Sequence, residues 1–273
     1  MYILDIVYTY IYNHGSISNK VIWIRQMKQN DTLDYAVFGS SRAVYHINPI
    51  LIKEKTGKDG KNFGYNASSS FEIYLTINEY LKNNFTKKIF IQVDYKYYKS
   101  NPDGVGEISW IPFINEENIY QYFKPFGNKY LFYNKIPFYR YQKFDSRLGI
   151  RYVFSNIIKG DNEFINFKGY NNRFGVLKKD TVFSPKEIIT VNPYFEDLIT
   201  ICKTKDIELI FFTSPIYRFN GSFKYLDERL PNYYNFSNTI SEISLFSDST
   251  HLNSKGAEVF TNIFIEHYFK ITP

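Results

Sequence analysis

The chain has 273 residues, 44% of them hydrophobic and 22% charged, with a formal net charge of +6 and one cysteine. This length supports one large domain with a full core, or one domain carrying an insertion, and no internal repeat or low-complexity linker divides it. The lone Cys202 excludes an internal disulfide and a cysteine metal site, and dispersed Lys and Arg residues without a recognition motif argue against a nucleic-acid partner.

Residues 1–30 read as an N-terminal helix. Within it, Tyr2 to Tyr12 is apolar and aromatic, but it is short and contains Asp5, which is unsuited to a bilayer span. No secretory-signal pattern is present, so the segment is either a helix packed on the domain or the remainder of a longer anchor. Tyr35 to Phe38 follows as a strand, and Gly39-Ser40-Ser41 breaks it before a helix over 43–55 that Pro49 interrupts. A strand over 61–65 leads to an amphipathic helix over 69–83, where Ile73, Ile77 and Leu81 repeat at helical spacing, and then to a strand over 88–94.

Residues 95–186 depart from this alternation. They are rich in aromatics such as Trp110, Phe113, Tyr120, Phe123 and Tyr130, which either fill a small core of their own or stack on sugar rings at a pocket. Beyond them come a helix over 193–205, a strand over 208–213, a weaker strand over 233–236 and a last helix over 254–269. The last helix carries Ala257, Phe260, Phe264 and Tyr268 on one face. Strands alternating with helices predict an α/β fold, a mainly parallel sheet of five strands with helices on both faces.

Two short motifs carry the chemistry. Ser41 stands at a strand-to-helix turn, the carboxyl end of a strand, where open α/β sheets place ligands and a helix end supplies N–H groups. Ser40 and Ser41 also suit a plain helix cap. Near the other terminus, Asp248 precedes His251 by three residues, so a tight turn can fold the carboxylate back onto the imidazole to fix its tautomer. The competing reading makes Asp248 or Ser254 a cap and His251 a surface residue. His46, one turn past Ser41, reads as structural, and Cys202 as a core residue.

Gly39-Ser40-Ser41, Asn62-Phe63-Gly64, the strand ending Gln92-Val93-Asp94, and Asp248-x-x-His251-Leu252-Asn253 together resemble the four ordered blocks of the SGNH (GDSL-type) hydrolase superfamily. The likeness runs from residue 35 to the end of the chain. It implies a flavodoxin-like three-layer α/β/α sandwich with Ser41 as nucleophile, His251 as base and Asp248 as orienting acid. The N–H groups of Ser41 and Gly64 are then oxyanion donors, and no metal or organic cofactor is needed. Ser40 replaces the usual aspartate before the nucleophile. Such Gly-Ser-Ser variants resemble proteins acting on bacterial cell-surface glycans and teichoic acids, which implies an extracytoplasmic home near a membrane.

The third block departs from the family's Gly-x-Asn, whose asparagine is the third oxyanion donor, because Gln92 and Asp94 stand there. An ionised carboxylate would repel a developing oxyanion. Either Asn66 or Asn62 supplies the missing donor, or Asp94 turns to a neighbour such as Arg42, or the site is weakened. The resemblance therefore implies a serine esterase or O-acyltransferase acting on O-acyl, foremost O-acetyl, groups of a carbohydrate. The alternative is a non-catalytic glycan-binding or assembly protein that keeps the fold. The basic balance of the chain suits an anionic surface or polysaccharide. No glycine-rich fingerprint follows the first strand to favour a nucleotide.

Overall fold

A computed structural model describes residues 1–28, 32–186 and 189–269. The described residues form two compact units, one from Asn30–Ser100 and Phe164–Pro273 and the other from Met1–Gln29 and Asn101–Glu163.

The first unit holds the sheet. Its strands are β1 (Tyr35–Phe38), β2 (Gly60–Asn62), β3 (Lys88–Gln92), β4 (Glu208–Thr213) and β5 (Tyr233–Asn235), all parallel in the order β2-β1-β3-β4-β5. The register sets Val37 opposite Asn62 on one side and Phe90 on the other. β1, β3 and β4 read as almost unbroken apolar runs because a parallel sheet covered on both faces has no polar side.

The unit's helices are α1 (Ser41–His46), α2 (Pro49–Thr56), α3 (Ser70–Asn83), α4 (Pro193–Thr204), α5 (Lys224–Arg229) and α6 (Ser254–Tyr268). On one face of the sheet, Tyr35, Val37, Phe90 and Phe212 share a core with Ala43 of α1, Ile52 of α2, and Phe260 and Phe264 of α6. On the other, Phe38 meets Tyr80 of α3 at 5.8 Å between ring centres, and Phe211 meets Phe195 of α4 at 5.7 Å. Each fully buried phenylalanine of this kind contributes about 2–3 kcal/mol. The result is an α/β arrangement with helices on both faces of a parallel five-stranded sheet.

Pro49 interrupts the helical segment as expected, by separating two helices. It opens α2, with Asn48 as the cap, and α1 ends before it, since proline fits the first helical position, where no N–H bond is needed. α3 begins with a capping box in which Ser69 Oγ accepts from Phe71 N–H and Glu72 accepts from Ser69 N–H at 2.8 Å.

The second unit is helical, with segments at Tyr2–His14, Lys20–Gln26, Glu117–Phe123, Asn128–Lys135, Tyr139–Lys143 and Ile150–Ile158 among others. Trp110, Phe113, Phe123, Tyr130 and Tyr141 are buried, and the rings of Phe123 and Tyr130 meet at 5.0 Å between centres. Asp5 has a local structural task, as it accepts from Phe138 N–H at 2.8 Å and pairs with the buried Arg140 at 3.0 Å. Among the described residues, no helix is long and apolar enough to cross a membrane.

Candidate active site

The strand order reverses between β1 and β3, and in open sheets of this kind the crevice at the carboxyl ends of those strands is where ligands bind. The chain leaves β1 through Gly39, whose φ of +145° is unfavourable for a residue with a side chain. A Cβ there would also lie 2.7 Å from that of Gln92. Ser40 is the cap of α1, since its Oγ accepts from Arg42 N–H at 3.4 Å and donates to Gln92 Oε1 at 2.8 Å. Ser41 is the first helical residue, where an N–H has no acceptor within its own helix. Its Oγ lies 2.8 Å from His251 Nε2. The two serines thus divide the roles, Ser40 capping and Ser41 facing the imidazole.

His251 and Asp248 lie opposite each other in an antiparallel pair, β6 (Phe246–Asp248) and β7 (His251–Leu252). The intervening turn is closed by the carboxylate, as Asp248 Oδ1 accepts from Thr250 N–H at 2.9 Å and from His251 N–H at 3.0 Å. Both oxygens of Asp248 are 2.9 Å from His251 Nδ1. Burial pushes the Asp248 carboxyl up, but hydrogen bonds and charge from His251, with further bonds from Thr250, outweigh it and hold the group well below the usual carboxylate range. An ionised Asp248 keeps the imidazole proton on Nδ1 and leaves Nε2 to accept from Ser41. Asp248 is therefore not a helix cap. Asn253 caps α6 instead, accepting from Gly256 N–H at 3.1 Å.

Arg173 and Tyr45 belong to this cluster without a sequence signal. Arg173 donates to Asp248 Oδ2 at 2.7 Å and to Ser247 Oγ at 2.6 Å, and its guanidinium lies 5.2 Å from the ring centre of Tyr45. The Tyr45 ring is in turn 5.9 Å from that of His251, edge to face, and its hydroxyl accepts from Asn66 Nδ2 at 3.0 Å. Arg173 lies amid residues that repeat no motif, and only the folded chain brings it to β6. Asn66 sits on a turn whose next residue, Ala67, has φ of +59°, a conformation costing about 1–2 kcal/mol for a residue with a Cβ.

The expected oxyanion donors are only partly available. Gly64 N–H, expected as an oxyanion donor, donates instead to Asn62 Oδ1 at 3.0 Å. Asn62 is occupied too, since its amide donates to Ala43 O at 2.7 Å and Ile47 O at 2.9 Å, holding the end of α1 to β2. Asp94 turns to Arg42, 3.0 Å away in a buried ion pair, and also accepts from Gln92 Nε2 at 3.2 Å and Lys96 N–H at 2.8 Å. Arg42 completes the cluster by donating to the carbonyls of Ser214 and Pro215. Ser41 N–H has no acceptor among the described residues, and one N–H of Asn66 is held by Tyr45. Beside Asp94, a cleft is lined by Tyr95, Tyr97, Phe223, Tyr225 and Leu226.

His46 is fully buried and structural, its Nε2 accepting from Leu252 N–H at 3.0 Å and so tying α1 to the strand that carries His251. Burial, aided by the charge of Arg42, pushes its pKa well below the ordinary imidazole value of 6.5. A depressed imidazole binds its proton in the unfolded chain first, so stability falls as pH drops below about 6.5, by up to about 1.4 kcal/mol per pH unit. The expected outcome is that His46→Gln flattens the decline in unfolding free energy between about pH 7 and pH 5. An unchanged slope in urea titrations across that range would remove His46 from the explanation.

Among the described residues, no group of three or more His, Cys, Asp or Glu is placed to hold a metal ion. No protein-family model matches the chain, and comparison with curated proteins returns no match.

Proposed function

We propose that this protein is a serine esterase or O-acyltransferase of the SGNH type, acting on O-acyl groups, foremost acetyl, of a carbohydrate or cell-surface glycan. The observation that carries this reading is the continuous relay from Ser41 Oγ to His251 Nε2 at 2.8 Å and from His251 Nδ1 to Asp248 at 2.9 Å. Those separations are within the reach that general-base catalysis requires. The glycan and the acetyl group come from the motif resemblance.

In this mechanism His251 takes the Ser41 proton through Nε2 as Oγ attacks the ester carbonyl. Asp248 stabilises the imidazolium and His251 returns the proton to the departing sugar oxygen. Water or a second sugar hydroxyl then attacks the acyl-serine, giving hydrolysis or transfer. Ser41 N–H is the backbone donor for the oxyanion. Turnover of an activated acetyl ester, measured with and without added glycan, tests the reading. Acetate release alone identifies a hydrolase, acetylated glycan a transferase, and neither product opposes both.

Arg173 acts through Asp248. The expected outcome for Arg173→Ala is a fall in kcat of about tenfold to a hundredfold from a displaced carboxylate, with KM changing much less. A fall confined to KM would make Arg173 a substrate contact instead.

One observation favours the second reading, a non-catalytic glycan-binding or assembly protein. The Gly64 N–H and the Asp94 side chain are both committed elsewhere. Each missing oxyanion donor costs about a hundredfold to a thousandfold in turnover. Glycan binding that survives Ser41→Ala in a protein without ester turnover would support that reading.

A further inference from the structure

We infer that the helical unit docks on an anionic lipid surface through neighbouring apolar helix faces, an inference independent of the ester chemistry. In the Ile150–Ile158 helix, Val153 and Asn156 are buried, while Phe154, Ile157 and Ile158 are exposed at helical spacing, Ile158 by 77%. The Tyr2–His14 helix does the same, burying Tyr8 and Tyr12 and exposing Ile3, Ile6 and Tyr10, with Ile3 exposed by 77%. The two elements are tied together beyond their contact, since Ser16 donates from both its N–H and its hydroxyl to Asn156 O. Exposed large apolar side chains repeating along neighbouring helices mark an interaction surface, whereas isolated ones are ordinary.

Charge selects the occupant. From Lys143 to Lys159 the chain has four cations, Lys143, Arg147, Arg151 and Lys159, against one acid, Asp145. All four cations are exposed, and none has an ion-pair partner among the described residues. A short helix with Phe and Ile on one side and cations around it matches an interfacial helix, with its apolar face at the acyl boundary and its cations at lipid phosphates. Tyr2, Tyr10 and Tyr152, all exposed here, are the residue type that favours the headgroup region. Long Lys and Arg stems can lie along the apolar face and keep their charge at the phosphates.

The test is flotation of the full chain with vesicles of phosphatidylcholine mixed with phosphatidylglycerol, and with vesicles of phosphatidylcholine alone. Binding to the anionic vesicles is expected to be about tenfold or more stronger, and to weaken by a similar factor in Arg147→Glu/Arg151→Glu and in Ile157→Glu/Ile158→Glu. All four positions are exposed, and circular dichroism checks that each variant keeps its fold. Should the isoleucine pair unfold, the arginine pair alone decides. No binding to anionic vesicles, or binding that neither folded variant weakens, would overturn the inference. So would concentration-dependent self-association abolished by Ile157→Glu/Ile158→Glu, which would assign the face to a second copy of the chain.

Discussion

Ser41→Ala is expected to lower kcat/KM for an activated acetyl ester by at least about a thousandfold, while Ser40→Ala stays within about tenfold of the parent. The contrast follows from the divided roles of adjacent hydroxyls. Ser41 Oγ is the only one of the two within hydrogen-bond reach of the imidazole, at 2.8 Å. Ser40 Oγ points instead to Gln92 and caps α1, so its loss is a stability effect of about 1 kcal/mol. Steady-state kinetics on both variants, with thermal melts beside them, separates the effects. Equal losses in the two variants would show that the turn matters as a whole and that Ser41 has no special role.

The largest expected stability effect lies one shell away, in the Arg42–Asp94 pair. Both side chains are almost fully buried, with residue exposures of 2% and 7%. Asp94→Ala leaves the Arg42 guanidinium without its counter-charge in a site where, among the described residues, the Ser214 and Pro215 carbonyls are the remaining acceptors. Breaking a buried pair from one side costs about 3–5 kcal/mol, because an uncompensated charge stays inside. Replacing both partners, as in Arg42→Met/Asp94→Leu, is expected to recover much of that loss, since two apolar residues leave no stranded charge. Urea unfolding of the two variants and the parent measures both numbers. A loss below about 1 kcal/mol in Asp94→Ala would mean that water reaches the pair and that Asp94 is free to act elsewhere.

The same pair shows where reading the residues in order stops working. The strands at Tyr35–Phe38, Lys88–Gln92 and Glu208–Thr213 were legible because both faces of a parallel sheet are buried and the runs are therefore apolar throughout. The amphipathic helices Ser70–Asn83 and Ser254–Tyr268 were legible from their spacing and their polar starts. Ser41, Asp248 and His251 were legible as short motifs, but their meeting depends on a sheet order that no short motif contains. Gly64 could not be judged from its block alone, since the direction of its N–H is set by the side chain of Asn62, two residues away. Arg173 carried no pattern at all, and only a fold that returns residue 173 to the β6 strand gives it a role. The insertion offered two readings for its aromatics, and Trp110, Phe113 and Tyr130 are buried rather than displayed.

The central claim is that Ser41 is an activated nucleophile, and covalent capture by a fluorophosphonate tests it most directly. Intact-mass spectrometry of the native protein is expected to find one adduct, mapped to the peptide containing Ser41, lost in Ser41→Ala and slowed at least about a hundredfold in His251→Ala. No adduct on the folded protein, or an adduct that persists when Ser41 is alanine, would contradict it.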